Sequence, residues 1–363
     1  MSVVTNTNVP GAVASRHMRR RIMGFCLLAG LALAFLFSVG FGAVTISPGQ
    51  ILALLAKPLG LDLPWSYGQR EETILYAIRL PRACLGMMTG AALAVAGAAL
   101  QGLFRNPLAD PALIGVSTGA ALAASVVIVF SAGWAATMIA PLLPYLLPIA
   151  AFGGGLLTTL IVYMIANRDG QTDVATMLLA GVALNAIAAA GIGLLVFISD
   201  DQQLRDLNFW LLGSLGGVTW ARLLPAAPFI CIAIIALPLM ARHLNAMLLG
   251  EREALHLGFH VERTKRVIII MAALAVGASV ALTGVIGFIG LMVPHLVRLV
   301  MGPDHRALMP ASVILGATLL LVADLAARTI ALPAELPIGI LTSCVGGPFF
   351  LWLLMARREK GGW

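Results

Sequence analysis

Apolar stretches long enough to cross a lipid bilayer recur along this chain from residue 22 to residue 356, separated only by short polar segments. A run of roughly 18 apolar residues is the threshold for a transmembrane helix, because a rise of ~1.5 Å per residue must span a hydrocarbon core of ~30 Å. Candidate spans fall at 22–43, 83–103, 112–132, 146–166, 174–198, 222–241, 267–285, 286–300, 308–331 and 338–356. A soluble body does not carry this pattern: mean hydropathy is +0.98 and 11% of residues are charged, against ~25% in soluble domains. Barrel strands alternate apolar and polar residues over ~10 positions, and these runs do not alternate. The fold class expected is an all-α integral membrane protein with one membrane domain at 22–356, an N-terminal tail at 1–21 and a C-terminal tail at 357–363.

The segment 267–300 is too long for one span and short for two. Gly284, Gly287, Gly290 and Pro294 punctuate it. It reads as a full span followed by a short or bent helix, which a membrane protein tolerates only where other protein surrounds the broken backbone. The connection 44–78 reads as an outer loop broken by Pro48, Pro58 and Pro64, with Trp65 and Tyr67 suited to the membrane–water interface.

Charge gives the topology. With an even number of spans and both termini cytoplasmic, 16 of the 23 Lys/Arg residues fall on one side: Arg16–Arg21, Arg105, Arg168, Arg242–Arg266, Arg298–Arg306 and Arg357–Lys360. Cytoplasmic loops collect basic residues in this way. Arg79, Arg82 and Arg328 fall on the outer side, as does Arg205 among Asp200, Asp201 and Asp206. The apolar run after Arg21 exceeds the ~7–15 residues of a signal-peptide core, so it reads as a first anchor with its amino end inside. Most basic residues punctuate span ends, so the net charge of +7 is no nucleic-acid footprint. Cys26, Cys84, Cys231 and Cys344 stand singly in apolar runs without metal-ligand spacing, and read as small buried hydrophobes with no metal site.

The most polar interior segment is 249–266 (LGEREALHLGFHVERTKR), expected on the cytoplasmic side. Its mixture of acids, bases and apolar residues suits contact with a soluble partner better than a solvated loop. No GxxxxGK[ST] occurs in the chain, so it has no phosphate-cradling loop of its own.

The most distinctive stretch is Arg79-Leu-Pro-Arg82, then Gly90 to Ala120 (GAALAVAGAALQGLFRNPLADPALIGVSTGA). Gly86 and Gly90 form a GxxxG pair of the kind that lets helices pack closely. Met87, Gly90, Ala94, Gly97 and Gln101 repeat on one helical face. Further motifs follow in order: Trp210–Ser214 (WLLGS), the loop from Leu249, Gly287–His295 (GFIGLMVPH), Asp304–Arg306 (DHR), Asp324, Glu335–Gly339 (ELPIG) and Gly347-Pro348. This ordered set, covering about residues 45 to 356, resembles the permease subunit of the ABC importers for iron–siderophores, haem and vitamin B12.

The resemblance implies a type II importer permease of about ten helices per subunit in a bacterial inner membrane. It implies a homodimer with the substrate pathway at the subunit interface, two cytoplasmic ATPase subunits and a periplasmic binding protein. Such a permease is not itself an enzyme: ATP is bound and hydrolysed on the partner, the permease holds no permanent cofactor, and membrane lipid surrounds it. Haem is the substrate favoured by general likeness, with ferric siderophore and cobalamin as alternatives. On this reading Met87, Gly90, Ala94, Gly97 and Gln101 line the pathway. Arg79, Arg82 and Arg328 dock the binding protein, since exposed guanidinium groups recognise carboxylates by forked hydrogen bonds. The loop couples to the ATPase: Glu251, Arg252, Glu253 and Glu262 pair across the contact, Ala254, Leu255 and Phe259 anchor it, and Gly258 ends its helix.

Blander readings stand beside these. Glycines at helical spacing serve tight packing, interfacial arginines snorkel to headgroups, and fifteen methionines suit core filling better than iron ligation. Arg328 lies four residues after Asp324, the spacing of an intrahelical ion pair. An ion-coupled carrier would want a deep carboxylate without a nearby cation. An intramembrane enzyme would want paired acids or a nucleophile–base set, and neither stands out.

Overall fold

The computed structural model describes residues 10–42, 44–131, 143–331 and 334–359, and these are overwhelmingly helical. The first nine residues of the expected N-terminal tail and the last four of the C-terminal tail, Lys360 included, lie outside the described residues. Among the described residues seven helices are long and apolar enough to cross a membrane, and three shorter apolar helices, Val116–Phe130, Ile289–Met301 and Ile338–Leu353, match the remaining expected spans. The charge bias assigns the end that carries Arg82 and Arg328 to the outside, which makes it the outer end.

Helix α1 (Pro10–Gly40) begins well before the first expected span, so part of the expected tail continues the helix. The stretch expected as a loop after it contains α2 (Pro48–Ala56) and α3 (Gln69–Thr73). Ser47 and Gln50 close a reciprocal capping box at the start of α2, with bonds of 3.3 and 3.0 Å. Proline at the first helical position completes that start signal. A π-helical turn over Ile74–Arg79 then runs into α4 (Leu80–Leu103).

α4 is the axis of the body. Its Ala- and Leu-rich sequence favours helix, and its small side chains let α14 (His305–Thr329), α12 (Val261–Thr283), α9 (Trp220–Leu239) and α13 (Ile289–Met301) pack directly against it. It stops at Phe104 because Arg105 turns left-handed (φ 49°) and Asn106 precedes a proline. Helices α5 (Val116–Phe130), α6 (Leu143–Ala166) and α7 (Val174–Ile198) form a second group beside it. A two-residue hairpin, β1 (Asn167–Arg168) with β2 (Gln171–Thr172), joins α6 to α7. The acidic stretch around Arg205 is α8 (Asp201–Leu212), with Asp200 capping it through Gln203.

The expected break in 267–300 is present. α12 ends at Thr283, and Gly284 (φ 70°) and Phe288 (φ 68°) turn the chain before α13 starts. The freed carbonyl of Thr283 accepts the Ser214 amide at 2.7 Å, so the interruption is satisfied inside protein as a membrane requires. α15 (Ile338–Glu359) closes the chain, its first amide bonded to Gly213 O at 3.0 Å. The cysteines correct the expectation of burial: Cys26, Cys231 and Cys344 are exposed on the outward faces of helices and only Cys84 is half-buried. An apolar environment solvates a thiol as well as a core does.

Candidate functional site

At the outer end, four charged side chains from distant parts of the chain converge. Arg82 on α4 donates from Nε and Nη2 to Asp324 on α14, at 2.9 and 2.8 Å, and from Nη1 to both oxygens of Glu335 at 2.9 and 3.0 Å. Arg328 closes the cluster on Asp324 at 3.5 Å and donates to the carbonyl and hydroxyl of Ser38 on α1. Asp324 is fully buried, and two cations compensate its charge. That arrangement lacks the cation-free carboxylate expected of a proton-coupled carrier.

Arg79 sits beside this cluster but points inward. Its Nη1 donates to Val39 O at 2.6 Å and Gly40 O at 2.7 Å, and its Nη2 to Val44 O. It therefore satisfies the orphan carbonyls that end α1. The exposure expected of the docking arginines needs correcting: Arg79 and Arg328 are 5% and 8% exposed because both guanidinium groups bind α1 backbone. Arg82 is the arginine nearest the surface, and the half-exposed Glu335 covers it.

The face expected to line a pathway is a packing face. Gly90 lies against the backbone of Gly316 on α14, and Gly97 against the backbone of Gly290 on α13, so close that a Cβ at either would overlap a carbonyl. Ala94 is fully buried, and Gln101 donates to Gly290 O at 3.3 Å while accepting from Arg298 Nη2 at 3.0 Å. Met87 is half-buried against the cluster that ties α1 to α2. Gly90, Gly97 and Gln101 hold α4 to its neighbours within the chain.

At the opposite end, Ala241–Met247 forms α10 and Glu251–His256 forms α11. Gly258 (φ 86°) terminates α11 with a pair of return bonds, Gly258 N to Leu255 O at 2.9 Å and Phe259 N to Ala254 O at 3.0 Å. Ala254 is buried and Phe259 packs edge-on against His243 of α10, ring centres 5.1 Å apart. Arg252, Glu253, Leu255 and Leu257 project outward, the two leucines more than half exposed. Glu251 and Glu262 turn instead to Lys265, at 2.8 and 3.0 Å. In the sequence nothing signals Lys265 beyond its i,i+3 spacing to Glu262.

Nearby, Asp304 binds Arg20 of α1 at 3.2 Å and the Asn245 amide at 2.8 Å, and caps α14 through the Arg306 amide. Partial burial pushes its carboxyl up, but these hydrogen bonds outweigh that and hold it below the usual carboxylate range.

A bundle of spans around one small-residue helix, with a closed charged cluster at one end and a projecting half-apolar helix at the other, defines a multi-pass membrane permease. The chain belongs to the FecCD transport family, which its residues 30–356 match. It is similar to the hemin transport system permease protein HmuU of Yersinia pestis, 44% identical over 346 residues that cover 95% of this chain and 98% of that one. It is also similar to the cobalamin import system permease protein BtuC of Halobacterium salinarum, 42% identical over 84% of this chain and 78% of that one. Among solved structures it resembles a metal-chelate type ABC transporter in an inward-facing conformation, with a TM-score of 0.79 and 30% identity over 93% of this chain and 99% of that one.

Proposed function

We propose that this chain is the membrane-spanning subunit of an ATP-driven importer that carries haem inward across the inner membrane, two copies forming the pathway between them. The 44% identity to the haemin permease along nearly the whole of both chains carries this reading. The chain encodes no phosphate loop, so a separate ATPase must supply the energy. α11 is built to meet it. Ala254, Gly258 and Phe259 set the helix on the body, Glu251 faces inward, and Arg252, Glu253, Leu255 and Leu257 form the contact surface. At the outer end a loaded binding protein docks over Arg82 and Glu335, with Arg79 and Arg328 holding the ground beneath. Met87, Gly90, Ala94, Gly97 and Gln101 act as the rigid axis against which other helices move.

Reconstitution with the importer's ATPase in liposomes tests this. ATP-dependent accumulation of haem, and not of cobalamin or a ferric siderophore, supports the reading. Cobalamin accumulation alone would transfer the chain to the second substrate class, which the 42% relative favours.

A further inference from the structure

Lys265 stands at the inner end of α12 and is 3% exposed. Its ammonium has three donors, and all three are used. They reach Glu251 Oε2 on α11 at 2.8 Å, Glu262 Oε1 on its own helix at 3.0 Å, and Thr172 O at the end of the hairpin before α7 at 2.9 Å. The second oxygen of Glu262 accepts the Thr172 amide at 2.8 Å. Both backbone groups of Thr172 are thus bound to α12. One residue further, Asp173 caps α7 by accepting from the Ala175 and Thr176 amides at 3.2 and 3.1 Å. The consecutive helices α11 and α12 and the hairpin 93 residues before Lys265 therefore share one buried cation.

Elsewhere α7 packs along one face, through Met177, Ala180, Ala188 and Leu195. Its exposed residues include Leu179, Val182, Ile187, Leu194 and Phe197. Its partners are α5, α6 and the turn at Pro111–Ile114, which Gly181 approaches at backbone distance. α11, in turn, touches the rest of the chain only through α10 and α12 among the stronger contacts. A buried lysine satisfied from three sides resists separation, because losing any arm leaves a donor of a buried ammonium without its partner, although the two carboxylates are themselves about a third exposed. A displacement imposed on α11 must then either break the knot or carry the inner end of α7 with it.

We propose that Lys265 is the positioning residue that joins α11 to α7, so that movement of the contact helix is delivered through the 167–172 hairpin to a long helix that packs mainly on α5 and α6. This rests on the importer reading for the source of the movement. Lys265 touches neither the α11 contact surface nor substrate, and its role is transmission.

The test uses the full chain with its ATPase in liposomes, reading haem transported per ATP hydrolysed and the ATP-driven change in distance between spin labels at Leu179 of the two copies. Lys265→Met is expected to co-purify with the ATPase, since the exposed face of α11 is untouched. Energetic coupling between distant sites typically amounts to 5–150-fold, so transport per ATP should fall by roughly fivefold or more, with the Leu179 distance change lost. Lys265→Arg, which keeps the charge, should restore part of both. If Lys265→Met does not assemble, Glu251→Ala, which spares the hairpin arms, must show the same loss. An unchanged transport ratio with an unchanged Leu179 displacement, in either variant, overturns the proposal. Failure of the unmodified chain to bind any ATPase overturns the importer reading itself, and the two failures are distinguished by co-purification.

Discussion

Arg82 grips Asp324 edge-on, its Nε at 2.9 Å and its Nη2 at 2.8 Å from the same carboxylate oxygen, across 242 residues of sequence. The remaining nitrogen reaches Glu335, so one side chain binds α4, α14 and the loop before α15 into a single outer cap. Buried ion pairs contribute little as replacements for apolar packing, yet breaking one from a single side is severe.

Asp324→Asn should therefore lower stability by about 3–5 kcal/mol, because Arg82 and Arg328 both lose their buried counter-charge. Thermal unfolding of the detergent-purified protein measures it. A shift no larger than that of a surface substitution, about 0.5 kcal/mol, would show that the cluster is open to water.

Gly97→Ala adds one methyl group where the backbone of Gly290 already lies, so α4 and α13 must part. Overpacking of this kind costs about 1–3 kcal/mol. Gly153→Ala on α6 faces open space and should be neutral or slightly stabilising. Equal melting temperatures for the two variants would contradict the close approach of the helices.

Leu255→Glu combined with Leu257→Glu alters only the outward face of α11, where both side chains are more than half exposed. The fold should persist while ATPase association weakens by roughly tenfold or more, as for loss of an apolar anchor of about 2 kcal/mol. Size-exclusion co-elution and a binding titration report it. Unchanged affinity would remove α11 from the contact.

Asp304 gives the inner end an acid limb. Its folded carboxyl is held down by Asn245, the Arg306 amide and Arg20, so the folded state favours the ionised form. That contribution is present above the unfolded value of ~4 and is lost only as pH falls through the lower folded value. Between neutral pH and about 5 the anchoring of α1 to α14 should not change. Below about 4 the parent should lose more stability than Asp304→Asn, which has no such group to protonate. Parallel acid-unfolding curves would contradict the assignment.

Much of this architecture is legible in the residues themselves. Run lengths and basic residues give the spans, and Gly284 and Pro294 mark the one interrupted pair. The helical start after Ser47 is also written locally, in a capping box that the prolines of 44–78 obscure when read only as breakers. The arginines are different. Nothing near Arg79 in sequence says that its partners are carbonyls some 40 residues away, and Arg328 finds Ser38 across 290 residues. Position on the outer side is readable from the pattern of basic residues, whereas burial depends on where α1 comes to rest.

The small-residue face of α4 illustrates the same limit. Spacing shows that Gly90, Ala94 and Gly97 share a face, but a pathway wall and a helix–helix seam need the same small residues. Contact with the backbones of Gly316 and Gly290 puts Gly90 and Gly97 in a seam within the chain. Lys265 is not legible locally, because its arm to Thr172 spans 93 residues and closes only when the hairpin meets α12.

On the proposed reading this chain moves haem inward at the expense of ATP hydrolysed by a partner. Liposomes holding the permease and its ATPase, with haem supplied on the binding-protein side, test it in one measurement of internal haem against time. Accumulation that requires ATP, and that stops when ATP is replaced by a non-hydrolysable analogue, is the predicted result. Uptake indifferent to ATP but following an imposed ion gradient would contradict it.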